Sequence, residues 1–221
     1  MKRSILVLNN IRLRPSQIHK FRGFIGNLFR EYDLIHNHDA ETGKPIYRYP
    51  LIQFKLVNRQ PAIIAITEEA VSAFANIFMK LDRIVIDEME IPVYEKDLEL
   101  HDADFGYSTE TFVYEFASPW MGLNQKNYQR YMKAVDQAQR DQVLKGALIG
   151  NMLSMSKYLG HWLDREQEIR AEVRVRECQV NLKGKHMIGF TGIFKANFMI
   201  PDHLGLGKSV SRGFGTVMKK I

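Results

Sequence analysis

Two histidines one residue apart stand in the segment Tyr32-Asp33-Leu34-Ile35-His36-Asn37-His38-Asp39, and Tyr47-Arg48-Tyr49 follows a short polar stretch. Imidazole titrates near pH ~6.5, so at neutral pH one ring can take a proton while another gives one. Cleaving a ribose phosphodiester without a metal needs both, a base for the 2′-hydroxyl and an acid for the leaving 5′-oxygen. A tyrosine or cation nearby can orient the phosphate or stabilise its developing charge. His36 and His38 beside Asp39 and Glu41 also suit a transition metal, although no distant histidine–carboxylate motif completes such a site. A polar surface loop whose histidines do no chemistry is the third reading.

A second constellation lies near the C-terminus, in Gly205-Leu206-Gly207-Lys208-Ser209-Val210-Ser211-Arg212-Gly213-Phe214-Gly215. Glycines permit positive φ and close backbone approach, so successive N–H groups can turn towards phosphates. Lys208 and Arg212 add charge, and Ser209 and Ser211 add donors. The competing reading is a tight loop in which glycine serves turn geometry alone. Gly207-Lys208-Ser209 imitates the end of a nucleotide-binding P-loop, but Asp202 stands where the first glycine belongs. Arg212–Val217 imitates an RNA-recognition hexapeptide with Thr216 in an aromatic position, a partial match.

The elements that must position these groups follow from periodicity. Ile5–Arg14 reads as a strand, Pro15 as a helix start and Ser16 as its N-cap. Ile18, Phe21, Ile25, Leu28 and Phe29 form one apolar stripe, while His19, Arg22, Gly23, Gly26 and Arg30 share the other face. Two glycines in a helix cost roughly 1 kcal/mol each relative to alanine, so the glycine face predicts a closely approaching backbone or ligand. Ile52, Phe54 and Leu56 alternate with Gln53 and Lys55, and the turn Asn58–Pro61 leads into a second strand, Ala62–Ile66, to make a hairpin. Thr67 caps a helix with the stripe Val71, Phe74, Phe78 and Leu81, and Arg83–Ile86 follows as a strand. This is the ferredoxin-like order, strand-helix-strand-strand-helix-strand. The acidic segment around Glu95–Asp104 reads as a boundary. Beyond it come a strand with Phe112, Tyr114 and Phe116, a long helix over 137–160, a strand from Ile169 to Val175, its hairpin partner Met187–Phe198 and a closing strand Phe214–Met218. The second half reads as another ferredoxin-like unit whose second helix is degenerate or replaced. The expected organisation is therefore α+β, two tandem ferredoxin-like (RRM-like) domains over residues 1–98 and 106–221, each an antiparallel sheet with helices on one face.

Composition narrows the class. Apolar content of 45% and charged content of 25% are those of an ordinary globular protein. The single cysteine, Cys178, can form neither an internal disulfide nor a cysteine zinc cluster, so the chain reads as cytoplasmic. No apolar run approaches the ~18 residues of a membrane span. The net charge is +6 and it is unevenly distributed. Residues 1–30 carry seven Lys or Arg and no acid, residues 182–221 carry seven against Asp202, and residues 82–104 hold nine Asp or Glu. Two basic ends suit a polyanion held by counterion release, or else two solvated faces.

Pro201–Val217 resembles the C-terminal glycine-rich signature of the RAMP superfamily, and within it the CRISPR-associated endoribonucleases that process repeat transcripts. The likeness extends to Phe21–Pro50 and to the helix end Gly150–Gly160, and is least evident over Asp97–Asp136. It implies tandem ferredoxin-like domains and metal-independent cleavage of CRISPR repeat RNA. The implied products are a 2′,3′-cyclic phosphate and a 5′-hydroxyl, and no cofactor or metal takes part. By position, His36 and His38 match the histidine pair of the most similar members, and Tyr47 matches their tyrosine, with Tyr49 the alternative. The resemblance, together with the basic termini, assigns RNA binding to Arg22, Gly205, Gly207, Lys208, Ser209, Ser211, Arg212, Gly213 and Gly215. Repeat RNA is the implied partner, with other CRISPR-associated proteins and a second copy of the chain as further ones. The alternative function is a non-catalytic RNA-binding RAMP subunit of a CRISPR ribonucleoprotein.

Overall fold

The computed structural model describes residues 1–29, 49–182 and 184–220, so His36, His38 and Tyr47 lie outside the described residues. The chain divides into two compact units, Met1–Ala103 with Val210–Gly213, and Asp104–Ser209 with Phe214–Ile221. The first unit therefore runs past residue 98 and takes in four residues of the glycine-rich segment.

In the first unit, β1 (Lys2–Leu8), β2 (Ile52–Val57), β3 (Gln60–Ile66) and β6 (Lys96–Asp102) form an antiparallel sheet in the order β2-β3-β1-β6. Helix α1 (Ile18–Leu28) packs on β2 and α2 (Glu68–Lys80) on β1 and β3. Their apolar stripes meet Leu6, Leu8, Phe54 and Ile63 in one core. The β2–β3 turn needs only two residues, Asn58 and Arg59, both at positive φ (50° and 67°), the geometry that matches strand twist. Thr67 caps α2 as expected, its Oγ1 accepting the Ala70 N–H at 3.5 Å.

Three expectations are corrected here. β1 ends at Leu8, because Asn9 N–H turns to Glu95 O (2.9 Å) and the Asn10 amide donates to Pro92 O (2.8 Å). Ser16 does not cap α1. A 3₁₀ turn, Pro15–Gln17, precedes the helix, and Gln17 Oε1 accepts the Arg14 N–H at 2.9 Å. Arg83–Ile86 (β4) is not the fourth sheet strand, because it folds back on β5 (Met89–Pro92) around Asp87 and Glu88, both at positive φ. The acidic stretch supplies that strand as β6, with Leu98 and Leu100 opposite Leu6 and Ser4. An edge position tolerates its charges, and charge on an edge discourages pairing with other chains.

In the second unit, β7 (Gly106–Phe116), β8 (Ala171–Leu182), β9 (Lys185–Met199) and β10 (Val217–Lys219) form an antiparallel sheet in the order β10-β7-β9-β8. Between β7 and β8 run α3 (Gln125–Lys133) and α4 (Gln137–Tyr158), whose Leu144, Leu148, Met152 and Met155 are buried. Helix α3 is an addition to the expected order, capped by Asn124 on the Asn127 N–H (2.8 Å). Trp120 anchors the core beside it, stacked on Phe116 with ring centroids 5.2 Å apart. No helix is described between β9 and β10, and the glycine-rich segment occupies that place, as the pattern predicted.

Candidate nucleic-acid interface

The glycine-rich segment is divided between the units, and its backbone is largely committed to the protein. In the second unit Leu206 N–H donates to Gly215 O (2.8 Å), Gly215 N–H to Pro119 O (2.8 Å) and Lys208 N–H to Met121 O (3.0 Å). Gly207 sits at φ +91°, where a Cβ would meet Met121 O at 2.9 Å, and Gly215 at φ +60°, where it would meet Leu206 O at 2.0 Å. Steric closeness within the unit therefore demands both glycines. The amides of Leu206, Lys208 and Gly215 do not turn outward, so what these residues offer an anion is the exposed Lys208 ammonium. Gly205 pairs with Thr216 in an isolated antiparallel bridge, and Ser209 lies half-buried at φ +55°.

In the first unit, Val210–Gly213 runs beside β2, with Arg212 bridged in parallel to Phe54. Gly213, at φ +88°, allows this approach, because a Cβ there would reach Ile18 Cγ2 at 3.0 Å. Val210 is buried and Ser211 nearly so. Val210 O accepts a 3.0 Å hydrogen bond from Lys55 Nζ, and Lys55 is completely buried. Desolvation pushes the Lys55 ammonium down to about 7. Lys55 alternates with Gln53 along β2, so in sequence it reads as an ordinary solvent-facing strand lysine. Only the cover over that face makes it exceptional.

The segment also carries Arg212 towards Arg22 of α1. Burial, and after it the neighbouring Arg212 charge, hold the Arg22 guanidinium below its ordinary value. Arg22 Nε is buried and has no hydrogen-bond partner among the described residues. Desolvation and like charge both act against ionisation of Arg22, and an anion beside it would offset both. Arginine presents a planar donor fork that fits a phosphate in this way. Of the residues singled out in the sequence, Arg22, Arg212 and Gly213 are thus brought together within the first unit. Gly205, Gly207, Lys208 and Gly215 belong to the second. Tyr49, the alternative to Tyr47, is described and buried, at 8% exposure. Among the described residues no protein atom lies within 4 Å of where a Gly23 Cβ would stand, so no backbone makes the close approach there.

Comparison with known proteins matches residues 3–104 to the Cas6b N-terminal domain and residues 106–220 to the Cas6b C-terminal domain. An uncharacterized protein of Methanocaldococcus jannaschii, MJ0978, is 42% identical over 117 residues, which are 52% of this chain and 78% of that protein. Two solved structures superpose over nearly the whole chain. The crystal structure of a Cas6b has TM-score 0.92 and 34% identity over 99% of each chain. That of a CRISPR RNA processing endoribonuclease Cas6b has TM-score 0.79 and 33% identity over all of both. A more distant Cas6 product complex shares the fold alone, at TM-score 0.60 and 10% identity over 100% of this chain and 99% of that one. With each half matching its own domain of one family, the chain belongs to the Cas6b family.

Proposed function

We propose that this protein is an endoribonuclease that cleaves CRISPR repeat transcripts by attack of the ribose 2′-hydroxyl on the adjacent phosphate. The 2′-oxygen bonds to phosphorus as its proton passes to a base. The bond from phosphorus to the 5′-oxygen breaks as an acid protonates the leaving group. The products are a 2′,3′-cyclic phosphate and a 5′-hydroxyl, and no metal is needed. His36 and His38 exchange these two protons, with His38 essential, and Tyr47 orients the phosphate or stabilises its charge. The observation that carries the reading is the convergence of Arg22 and Arg212, two half-buried like charges held together by the backbone of the first unit. Such a pair suits the phosphates of an RNA strand, and likeness to a solved Cas6b that is a CRISPR RNA processing endoribonuclease supports the same substrate. In the second unit the exposed Lys208 and the half-buried Ser209 offer phosphate contacts of their own.

The test incubates purified protein with repeat RNA in EDTA and maps the product ends. Cyclic phosphate and 5′-hydroxyl ends are expected, lost in His38→Ala while RNA binding persists. RNA that is bound and never shortened, with or without EDTA, identifies a non-catalytic RAMP subunit instead. Cleavage silenced by EDTA identifies a metal-dependent phosphodiesterase.

A further inference from the structure

The second unit contains a cavity of about 550 Å³ between the start of α3 and the β8–β9 hairpin, a size that suits one small ligand. The strand register builds its wall. Gln179 pairs with Ile188 and Asn181 with His186, so Gln179, Ile188 and His186 share one face with Glu177, which pairs with Phe190. Phe190 roots that face in the core against Trp120. Tyr128, on the first turn of α3, supplies an aromatic ring that is 43% exposed, unlike the buried Tyr131 one turn on. Lys208 completes the rim, placed there because Gly207 lets the backbone lie against Met121. Among the described residues, no hydrogen bond occupies the side chains of Gln179, His186 or Lys208, and Glu177 engages one, from the Tyr131 hydroxyl at 3.1 Å.

We propose that this cavity holds a single unpaired nucleotide of the bound RNA. Its base stacks on Tyr128, its edge is read by Glu177 and Gln179, and its phosphate meets Lys208. This assignment of a nucleotide subsite rests on the RNA substrate proposed above. An exposed ring, an amide, a carboxylate and an ammonium around an apolar floor are the groups that single-stranded RNA recognition uses. Glu177 also sets a preference. A carboxylate accepts from an exocyclic amino group and repels a carbonyl oxygen, so adenine, cytosine or guanine is favoured over uracil.

The experiment titrates AMP, CMP and UMP separately into the full-length protein and follows backbone amide resonances by NMR, with repeat-RNA affinity measured in parallel. AMP or CMP is expected to shift resonances of residues 123–128 and 186–188, with UMP at least fivefold weaker. Tyr128→Ala should lose these shifts and weaken RNA binding by about tenfold, within the range of one base stacked on an aromatic, whereas Tyr128→Phe should keep both. Glu177→Gln, whose amide can donate to a uracil carbonyl, should narrow the gap between CMP and UMP. Absence of shifts at the cavity with every nucleotide, or shifts that survive in Tyr128→Ala, overturns the inference even if repeat RNA is cut normally. If wild-type protein ignores repeat RNA while CMP still fills the cavity, the proposed function fails and the nucleotide site stands.

Discussion

Replacing Lys55 with methionine keeps an unbranched side chain, one atom shorter, and removes its charge, and the consequence depends on pH in a calculable way. An ordinary lysine titrates at 10.5, whereas burial brings Lys55 down to about 7. Between those values the unfolded chain binds more protons than the folded one, so stability rises with pH across that window. At about 1.4 kcal/mol per unit, the proton lost on folding costs about 4 kcal/mol at pH 7 and about 2 kcal/mol at pH 9. Wild-type protein should therefore gain about 2 kcal/mol from pH 7 to pH 9, or about 4–8 °C in Tm for a chain of this length. Lys55→Met abolishes this slope but leaves Val210 O without its Lys55 donor, a loss of about 1–3 kcal/mol at every pH. The methionine variant should thus be the more stable at pH 7, with its advantage shrinking towards pH 9. The upper limit matters, because burial raises the Cys178 thiol and lifts Tyr114 to about 12, and both oppose stability in more alkaline solution. The assay is denaturant unfolding of both proteins at several values between pH 7 and pH 9. Parallel pH profiles would refute the reasoning, because they would mean that the Lys55 ammonium is solvated or ion-paired in the folded state.

Arg22→Ala combined with Arg212→Ala should weaken repeat-RNA binding and flatten its salt dependence. The log–log slope should fall by roughly 0.7 for each single-strand phosphate that the protein no longer neutralises. Affinity measured at several salt concentrations between about 50 and about 200 mM checks this. Gly213→Ala should destabilise the protein by about 1–3 kcal/mol, because φ +88° and a Cβ 3.0 Å from Ile18 Cγ2 oppose any side chain. Gly23→Ala, exposed in α1 with open space around its Cβ, should instead stabilise it by about 1 kcal/mol, and thermal melts of the two variants should move in opposite directions. A repeat RNA with one 2′-deoxy substitution beside the scissile phosphate should bind normally and remain intact on a denaturing gel, since its nucleophile has been removed.

Much of the architecture is local and was legible in residue order. The Asn58–Arg59 turn, the Thr67 cap and the period-two runs of β2 and β8 depend on neighbours a few residues apart, and so does the absence of a helix before β10. The basic character of Arg22 and Arg212 was equally plain. What chain order did not carry was which surface each element would find covered. Arg83–Ile86 and Lys96–Asp102 are both plausible strands, and only pairing along β1 decided that the more charged one closes the sheet, because an edge leaves charge in water. Gly23 and Gly213 look alike as glycines beside arginines, but one faces open space and the other a helix 195 positions away. Lys55 shows the limit most plainly. Its alternation with Gln53 describes a solvated strand face, yet it is completely buried, and the carbonyl that accepts its hydrogen bond lies 155 residues further along the chain. Local periodicity states which side of a strand a residue occupies, and only the tertiary fold decides whether that side meets water or protein.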